Sequence, residues 1–292
     1  MNTLLRNFSH TFRRFFTASV LNLLGLSIEF AACFVILTQV DYDYNYNKAY
    51  PAHDRIYRVE VNPGGEYGWQ IWLARPFCEL IGTASPHIQA FSITSLSNYP
   101  SDFEINEHIY SEPEFTGFGD YLEVFQPTMV CGTTASLNEP SQVLISASMA
   151  RRFFGTTDAI GKILYTGHKS HNYPSVIGGV YQDMPENSQL GNCVFSSFRS
   201  DLNKDSWTNW NYALYIRLDN PASLADVRQS VIEACKRMIP KDLISGEGEE
   251  DWENFIHFTP LDEVHYSTIG NKAATSKAAL YLLLCVSVLI LL

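Results

Sequence analysis

Residues 20–40 read VLNLLGLSIEFAACFVILTQV, with one acid and no base, and no other stretch restricts the possible folds as strongly. As an α-helix this run is roughly 30 Å long, the hydrocarbon thickness of a bilayer, so it predicts a membrane crossing. Arg6, Arg13 and Arg14 precede it, and Asp41 and Asp43 follow at once. Basic residues are retained on the cytoplasmic side, so the N-terminus is expected inside and the bulk of the chain outside. Leu4, Leu5, Phe8, Phe12, Phe15 and Phe16 recur mostly three and four apart, with arginines between them. Residues 1–19 therefore read as an amphipathic helix on the cytoplasmic face, with a simple extension of the span as the alternative.

Glu29 lies near the middle of the span, where a lone charge costs about 2.5–3.5 kcal/mol. It is expected to be protonated or turned toward another helix. The main rival is a cleaved signal, because Phe30-Ala31-Ala32-Cys33 looks like a lipoprotein processing site. However, the apolar run continues through FVILTQV, where a mature lipoprotein turns polar. A second apolar run closes the chain: residues 272–292 end in LYLLLCVSVLILL, too short to cross a bilayer unaided. The expectation is a second span that is cut short in a longer natural protein, with a tail anchor as the alternative.

Between the two runs the balance is acidic. Of 31 acids only Glu29 lies outside residues 41–271, and of 20 bases Arg6, Arg13, Arg14, Lys272 and Lys277 do, leaving 30 acids against 15 bases. Such a surface repels phosphate and argues against nucleic acid. The six cysteines stand singly, without a CxxC pair, which excludes a zinc knuckle or thioredoxin-like centre. Cys33 and Cys285 fall in the apolar runs; the other four could pair in an oxidising compartment, and isolated buried thiols account for them equally.

Residues 41–271 alternate strand and helix patterns, which predicts an α+β domain on a mixed sheet, possibly two subdomains, flanked by transmembrane helices. Arg55–Val61 reads as a first strand, Trp72–Ile81 as a helix, and Ser92–Leu96 and Phe103–Ile109 as short strands. The sharpest local signal is QVLI, then Ser146 as helix cap, then ASMARRFF ended by Gly155. Asn211–Leu218 alternates cleanly, and Leu224, Val227, Val231, Ala234 and Met238 mark the buried face of a helix capped by Asn220 and Pro221.

No catalytic, cofactor or metal residue is assigned. Gly155 and Gly161-Lys162 resemble a phosphate loop only superficially, since the spacing is one residue too long and Ile163 stands where Ser or Thr is needed. His168 and His171 sit in a polar loop without a third ligand nearby. Asp262, Glu263 and His265 suit acid–base work, yet no nucleophile is placed beside them by a recognised spacing, and GxSxG, HExxH and SxxK are all missing. Trp69, Trp72, Trp207 and Trp210 are expected in the core.

Several segments together resemble the permeases of MacB/FtsX-type ABC transporters, especially the long-domain permeases of Bacteroidetes. TFRR and the first span are followed by DYDYNYNKAYPAHDRIYRVE, matching at Asp54, Arg55, Tyr57 and Arg58. VLISASMARRFFGTTDAIGKIL matches at Ser146, Phe154, Gly155, Ile160, Gly161 and Lys162. VIGGVYQDMPENS matches at Val176, Gly179, Val180, Asp183, Pro185, Asn187 and Ser188, and YALYIRL and TPLDEVHYS follow in the familiar order. The resemblance implies a permease of the bacterial inner membrane that has four spans, with its large domain between the first two. It also implies a cytoplasmic ABC ATPase, a second permease copy or paralogue, and a periplasmic adaptor as partners, with ATP hydrolysis in the separate subunit and no cofactor on this chain. Two departures stand out. The last two spans are missing, so this piece is not expected to transport alone, and Glu29 replaces a small residue. A membrane-anchored sensor or scaffold domain is the reading from another class; an anchored enzyme is the third.

Overall fold

The computed structural model describes residues 13–64, 68–96, 100–167, 173–239, 252–270 and 275–291. The helical elements are α1 (Phe16–Tyr44), α2 (Arg75–Gly82), α3 (Ala147–Phe154), α4 (Leu224–Met238), the single turn α5 (Leu261–Val264) and α6 (Lys277–Leu291). The first six strands are β1 (Ile56–Val61), β2 (Leu73–Ala74), β3 (Ile88–Ser95), β4 (Pro100–Ile105), β5 (His108–Gly117) and β6 (Met129–Gly132). The second six are β7 (Gln142–Ser146), β8 (Ile163–Thr166), β9 (Tyr173–Tyr181), β10 (Val194–Ser197), β11 (Trp210–Leu218) and β12 (Ile256–Pro260). The contacts divide the chain into a helical unit, Met1–Asn45 with Thr275–Leu292, and a larger unit, Tyr46–Ala274.

In the helical unit, α1 is long and apolar enough to cross a membrane. It begins before residue 20 and runs past residue 40, because the DYDY segment completes the helical hydrogen bonds before the chain turns at Asn45. Leu21, Leu24, Ile28, Phe30 and Phe34 face outward, as a lipid-facing surface requires. The hydroxyls of Ser27 and Thr38 donate to carbonyls one turn back, which satisfies them without water. In the same unit α6 packs on α1 at small residues, where Cys33 Sγ lies 3.5 Å from the carbonyl oxygen of Ser287. Small side chains allow the backbones this approach.

The larger unit joins an open sheet to a closed ring. In the open part the order is β3-β11-β1-β12, all antiparallel, with β2 also on β11. Strand periodicity sends Val59, Leu214 and Ile216 to one face, where they pack with Phe77 of α2 and Val227 and Val231 of α4. Odd and even positions exchange roles on the other face, where Ile56, Ala213 and Tyr215 meet a second apolar cluster. In the ring the pairing runs β5-β4-β8-β9-β7-β10 and returns from β10 to β5 in parallel. Its buried interior includes Phe103, Ile145, Leu164, Ile177 and Val194, with Phe153 of α3. Tyr121 stitches the closing pair, its hydroxyl lying 2.8 Å from Phe115 O on β5 and 3.0 Å from Ser196 O on β10. Closure removes the unpaired strand edges that an open sheet would expose.

Four local expectations change. Residues 103–109 are not one strand but the hairpin β4–β5, whose turn residues Asn106 and Glu107 both take positive φ, at 50° and 65°. That two-residue geometry matches the twist of the paired strands, and it is easily missed without a glycine to announce it. The helix expected from Trp72 begins only at Arg75, because Pro76 suits the first turn and keeps the preceding residues extended as β2. Trp69 and Trp72 are 37% and 53% exposed, whereas Trp207 and Trp210 pack against the sheet core. Met238, the last residue of α4, is 61% exposed, although Val227, Val231 and Ala234 of the same stripe are buried. The described cysteines are all free; Cys78, Cys193 and Cys235 are buried in the larger unit, and burial pushes the Cys235 thiol up to about 12, which leaves it a packing group rather than a nucleophile.

Candidate functional site

The sequence motifs gather at two places. The first is built on α3, where Ser146 Oγ accepts from Met149 N at 3.3 Å and Gly155 ends the helix at φ 71°. Asp183, arriving from the turn after β9, accepts from Ser148 N at 2.9 Å, so two motifs distant in the chain share one helix start. Lys162 Nζ lies 4.9 Å from the centre of the Phe154 ring, and Gly161 turns the chain at φ 78° into β8. Gly179 is tightly surrounded: a Cβ there would come within 2.9 Å of Met129 Cε and 3.2 Å of Cys131 O. Gly132, which no motif singled out, has φ 73° and would drive a Cβ into Gly178 O across the β6–β9 pair.

Burial opposes ionisation of Asp183, but the hydrogen bonds from Ser148 and Ser146, aided by Arg151, outweigh it and hold its pKa below the usual carboxylate value. The folded value lies beneath the unfolded one, so the stabilisation is complete above about pH 4 and is lost as pH falls through the folded pKa. Asp183→Asn should therefore leave less of the protein's stability to be lost on acidification. The exposed position keeps the effect under about 1 kcal/mol, measurable as a smaller change in unfolding midpoint between pH 7 and pH 3.

The second place is where the open sheet meets the chain ends of the larger unit. Arg58 on β1 is 3% exposed and Glu60 is fully buried. Arg58 Nε donates to Glu60 Oε1 at 3.0 Å, and Nη2 reaches the same oxygen, Ser267 Oγ at 3.0 Å and Ile269 O at 3.0 Å. The first strand is thereby tied to the segment that leads out of the domain. Asn47 performs the same task at the entry, three residues after α1 ends. Fully buried at φ 64°, it donates from Nδ2 to Leu261 O at 3.1 Å and accepts from Gln189 N at 2.8 Å, while its own N–H reaches Asn187 O at 2.8 Å. Pro185 and Ser188 complete that turn through a 2.6 Å hydrogen bond.

Between these ties lies a cavity of about 250 Å³ whose lining includes Tyr46, Arg58, Thr94, Gln189, Tyr215 and His265. Gln189 Nε2 donates to the Tyr215 hydroxyl, and the His265 ring stacks on Tyr46 at 4.0 Å, nearly parallel. Asp262 instead pairs with His53 Nδ1 at 3.0 Å, so Asp262 and His265 serve separate contacts. Asp54 is exposed, and Arg55 reaches Asp219 O at 3.3 Å; neither lines the cavity. Tyr57 packs into the sheet core on the face opposite Arg58. Glu29 is exposed on α1. His168 and His171 lie outside the described residues, and among the described residues no three His, Cys, Asp or Glu gather to hold a metal.

Asn47, Glu60, Thr94, Gln189 and Tyr215 were not legible as site residues. Two carried a signal: an asparagine just past a helix end is a candidate for positive φ, and Glu60 stands between two valines of a strand, where an acid must find a partner.

Residues 19–234 match the MacB-like periplasmic core domain. Among solved structures, the crystal structure of a domain assigned to a permease protein from Porphyromonas gingivalis shares the fold at TM-score 0.57 and 22% identity, over 72% of this chain and 92% of that one. The periplasmic region of MacB from Actinobacillus actinomycetemcomitans gives a TM-score of 0.49 at 12% identity, over 73% and 92% of the two chains. The extracellular domain of the noncanonic ABC-type transporter YknZ from Gram-positive bacteria gives 0.44 at 13%, over 62% and 94%. No curated protein matches the chain.

Proposed function

The chain belongs to the family of MacB-like periplasmic core domains, and from that premise we propose that it is a permease component of an ATP-driven ABC transporter of the bacterial inner membrane. Residues 1–19 lie on the cytoplasmic face, residues 20–40 form the first transmembrane helix, residues 41–271 form the periplasmic domain, and residues 272–292 belong to the second transmembrane segment. A cytoplasmic ABC ATPase hydrolyses the nucleotide, and a second permease copy or paralogue completes the membrane body, with a periplasmic adaptor as a further partner. This chain itself performs no chemistry on its substrate. It passes displacement of the membrane helices to the periplasmic domain, which drives export or extraction of an envelope substrate.

One observation carries this reading: both chain ends of the periplasmic domain are bonded into its body by buried polar side chains. Asn47 ties the entering segment to residues 187–189 and 261, and Arg58 ties the leaving segment at residues 267–269 to the central sheet. A pull on either end is thus delivered to the sheet rather than absorbed by a slack linker. Glu29 fits the same scheme as a polar contact for another transmembrane helix.

The test is purification of the intact reading frame together with the products of neighbouring genes. A nucleotide-binding subunit should co-purify in stoichiometric amount, and its ATP hydrolysis should fall when Asn47 or Arg58 is replaced. Repeated recovery of the permease in intact complexes without such a subunit would count against the proposal.

A further inference from the structure

Both chain ends of the larger unit come together at one place, and a pair of exposed indoles sits beside it. Tyr46, the first residue of that unit, lines the same cavity as Gly270 and Ile71. Ile71 is seated on Gly270 so closely that a Cβ there would come within 2.5 Å of Ile71 Cδ1. Trp69 and Trp72 flank Ile71 in the chain and are both exposed, whereas Trp207, Trp210 and Trp252 belong to the sheet core. Residues 68–74 read GWQIWLA, a stretch without a charge in an otherwise acidic domain.

The chain itself limits how far this place can lie from a bilayer. Val40, the last residue of the apolar run, is followed by four more residues of helix and two beyond it to Tyr46, a reach of about 15 Å at most. At the other end, seven peptide steps lead from Gly270 to Lys277, where the apolar helix α6 begins, about 25 Å if fully extended. Tyr42 and Tyr44, in the last turn of α1, are exposed as well. Tyrosine and tryptophan concentrate at the membrane–water interface, because the ring is apolar while its O–H or N–H still finds a polar partner.

We propose that Trp69 and Trp72 insert into the phospholipid headgroup layer, as a third point of attachment for the domain beside its two chain ends. This contact rests on the reading of α1 as a membrane span with the larger unit on one side of it. The two chain ends keep the indoles near lipid whatever else binds the domain, and an uncharged segment is what allows an acidic body to approach phosphate groups. Chain ends that meet at one cavity act almost as a single tether, which resists tilting weakly. A lipid contact beside them removes that freedom.

The experiment reconstitutes the full chain in phosphatidylcholine vesicles whose acyl chains carry bromine, a contact quencher of indole emission, either near the headgroup or near the chain end. Neither α1 nor α6 contains tryptophan, so the emission reports the domain alone. Two of the five tryptophans are within reach of shallow bromine, so wild type should lose roughly a third of its emission, and Trp69→Phe combined with Trp72→Phe less than about a tenth. Deep bromine should quench less than about half as strongly. Trp252→Phe, in the core, should leave the emission lost to bromine unchanged. Quenching should persist in about 1 M salt, where the Debye length is about 3 Å, because the contact uses no charge. Equal quenching of wild type and the double variant, in chains that float with the vesicles, overturns the proposal and leaves a protein partner for the two indoles. Stronger quenching by deep bromine, or quenching lost in salt, overturns it too. A chain that does not float with the vesicles overturns the membrane reading itself, so the two failures are distinguishable. Thermal unfolding checks each variant; if the double variant does not fold, the single variants and the wild-type loss decide.

Discussion

Replacing Asn47 by alanine should destabilise the periplasmic domain by about 3–5 kcal/mol and lower its unfolding temperature by roughly 10 °C. Two groups lose their partners at once, the buried carbonyl of Leu261 and the half-buried N–H of Gln189, and each orphan costs about 1–3 kcal/mol. Alanine also has to occupy φ 64°, which adds about 1 kcal/mol that asparagine largely avoids. Glycine separates the two contributions: Asn47→Gly relieves the backbone but not the lost bonds, so it should recover only the smaller share. Near-UV circular dichroism of the full chain during heating measures both. If Asn47→Gly behaves like wild type, the side-chain bonds are not what holds the entry segment.

Arg58→Met should cost about as much, 3–5 kcal/mol, because it strands the buried Glu60 carboxylate, whose ion pair among the described residues is with Arg58. Arg58→Met with Glu60→Leu removes both charges together and should return most of that stability, since replacing a whole buried pair by apolar groups is often neutral. It does not restore the bonds from Arg58 to Ser267 and Ile269. The double variant should therefore fold nearly as well as wild type, yet exchange the amide hydrogens near residues 267–270 faster and couple poorly to the ATPase. Hydrogen exchange and unfolding temperature measured on the same samples distinguish stability from tethering. A double variant that regains stability and keeps slow exchange at those residues would show that the leaving segment is held by something else.

Much of the fold was legible because it is written locally. Twenty-one predominantly apolar residues with one acid and no base have few alternatives to a helix, alternation in YALYIRL names the two faces of β11, and Ser146 with Gly155 brackets α3 through capping and a positive φ. The motifs also carried the family resemblance, since their order along the chain is itself information. Where local signals failed, a neighbour in space had intervened: Asn106 and Glu107 turn a hairpin as β4 and β5 pair, and residues 73–74 are extended as β2 because they pair with β11.

The sequence by itself determined the helices, most strands, the charge asymmetry and the kind of protein to expect, for each of these depends on residues within a few turns of one another. Only the tertiary structure decided that β10 closes on β5 across about 80 positions, and that Asn47 meets Leu261 214 residues away. The cavity likewise takes Arg58, Thr94, Gln189 and His265 from four separate segments. Such contacts arise when apolar faces find their mates during folding, and the polar groups carried inside must then satisfy one another. No periodicity along the chain encodes which of them will meet.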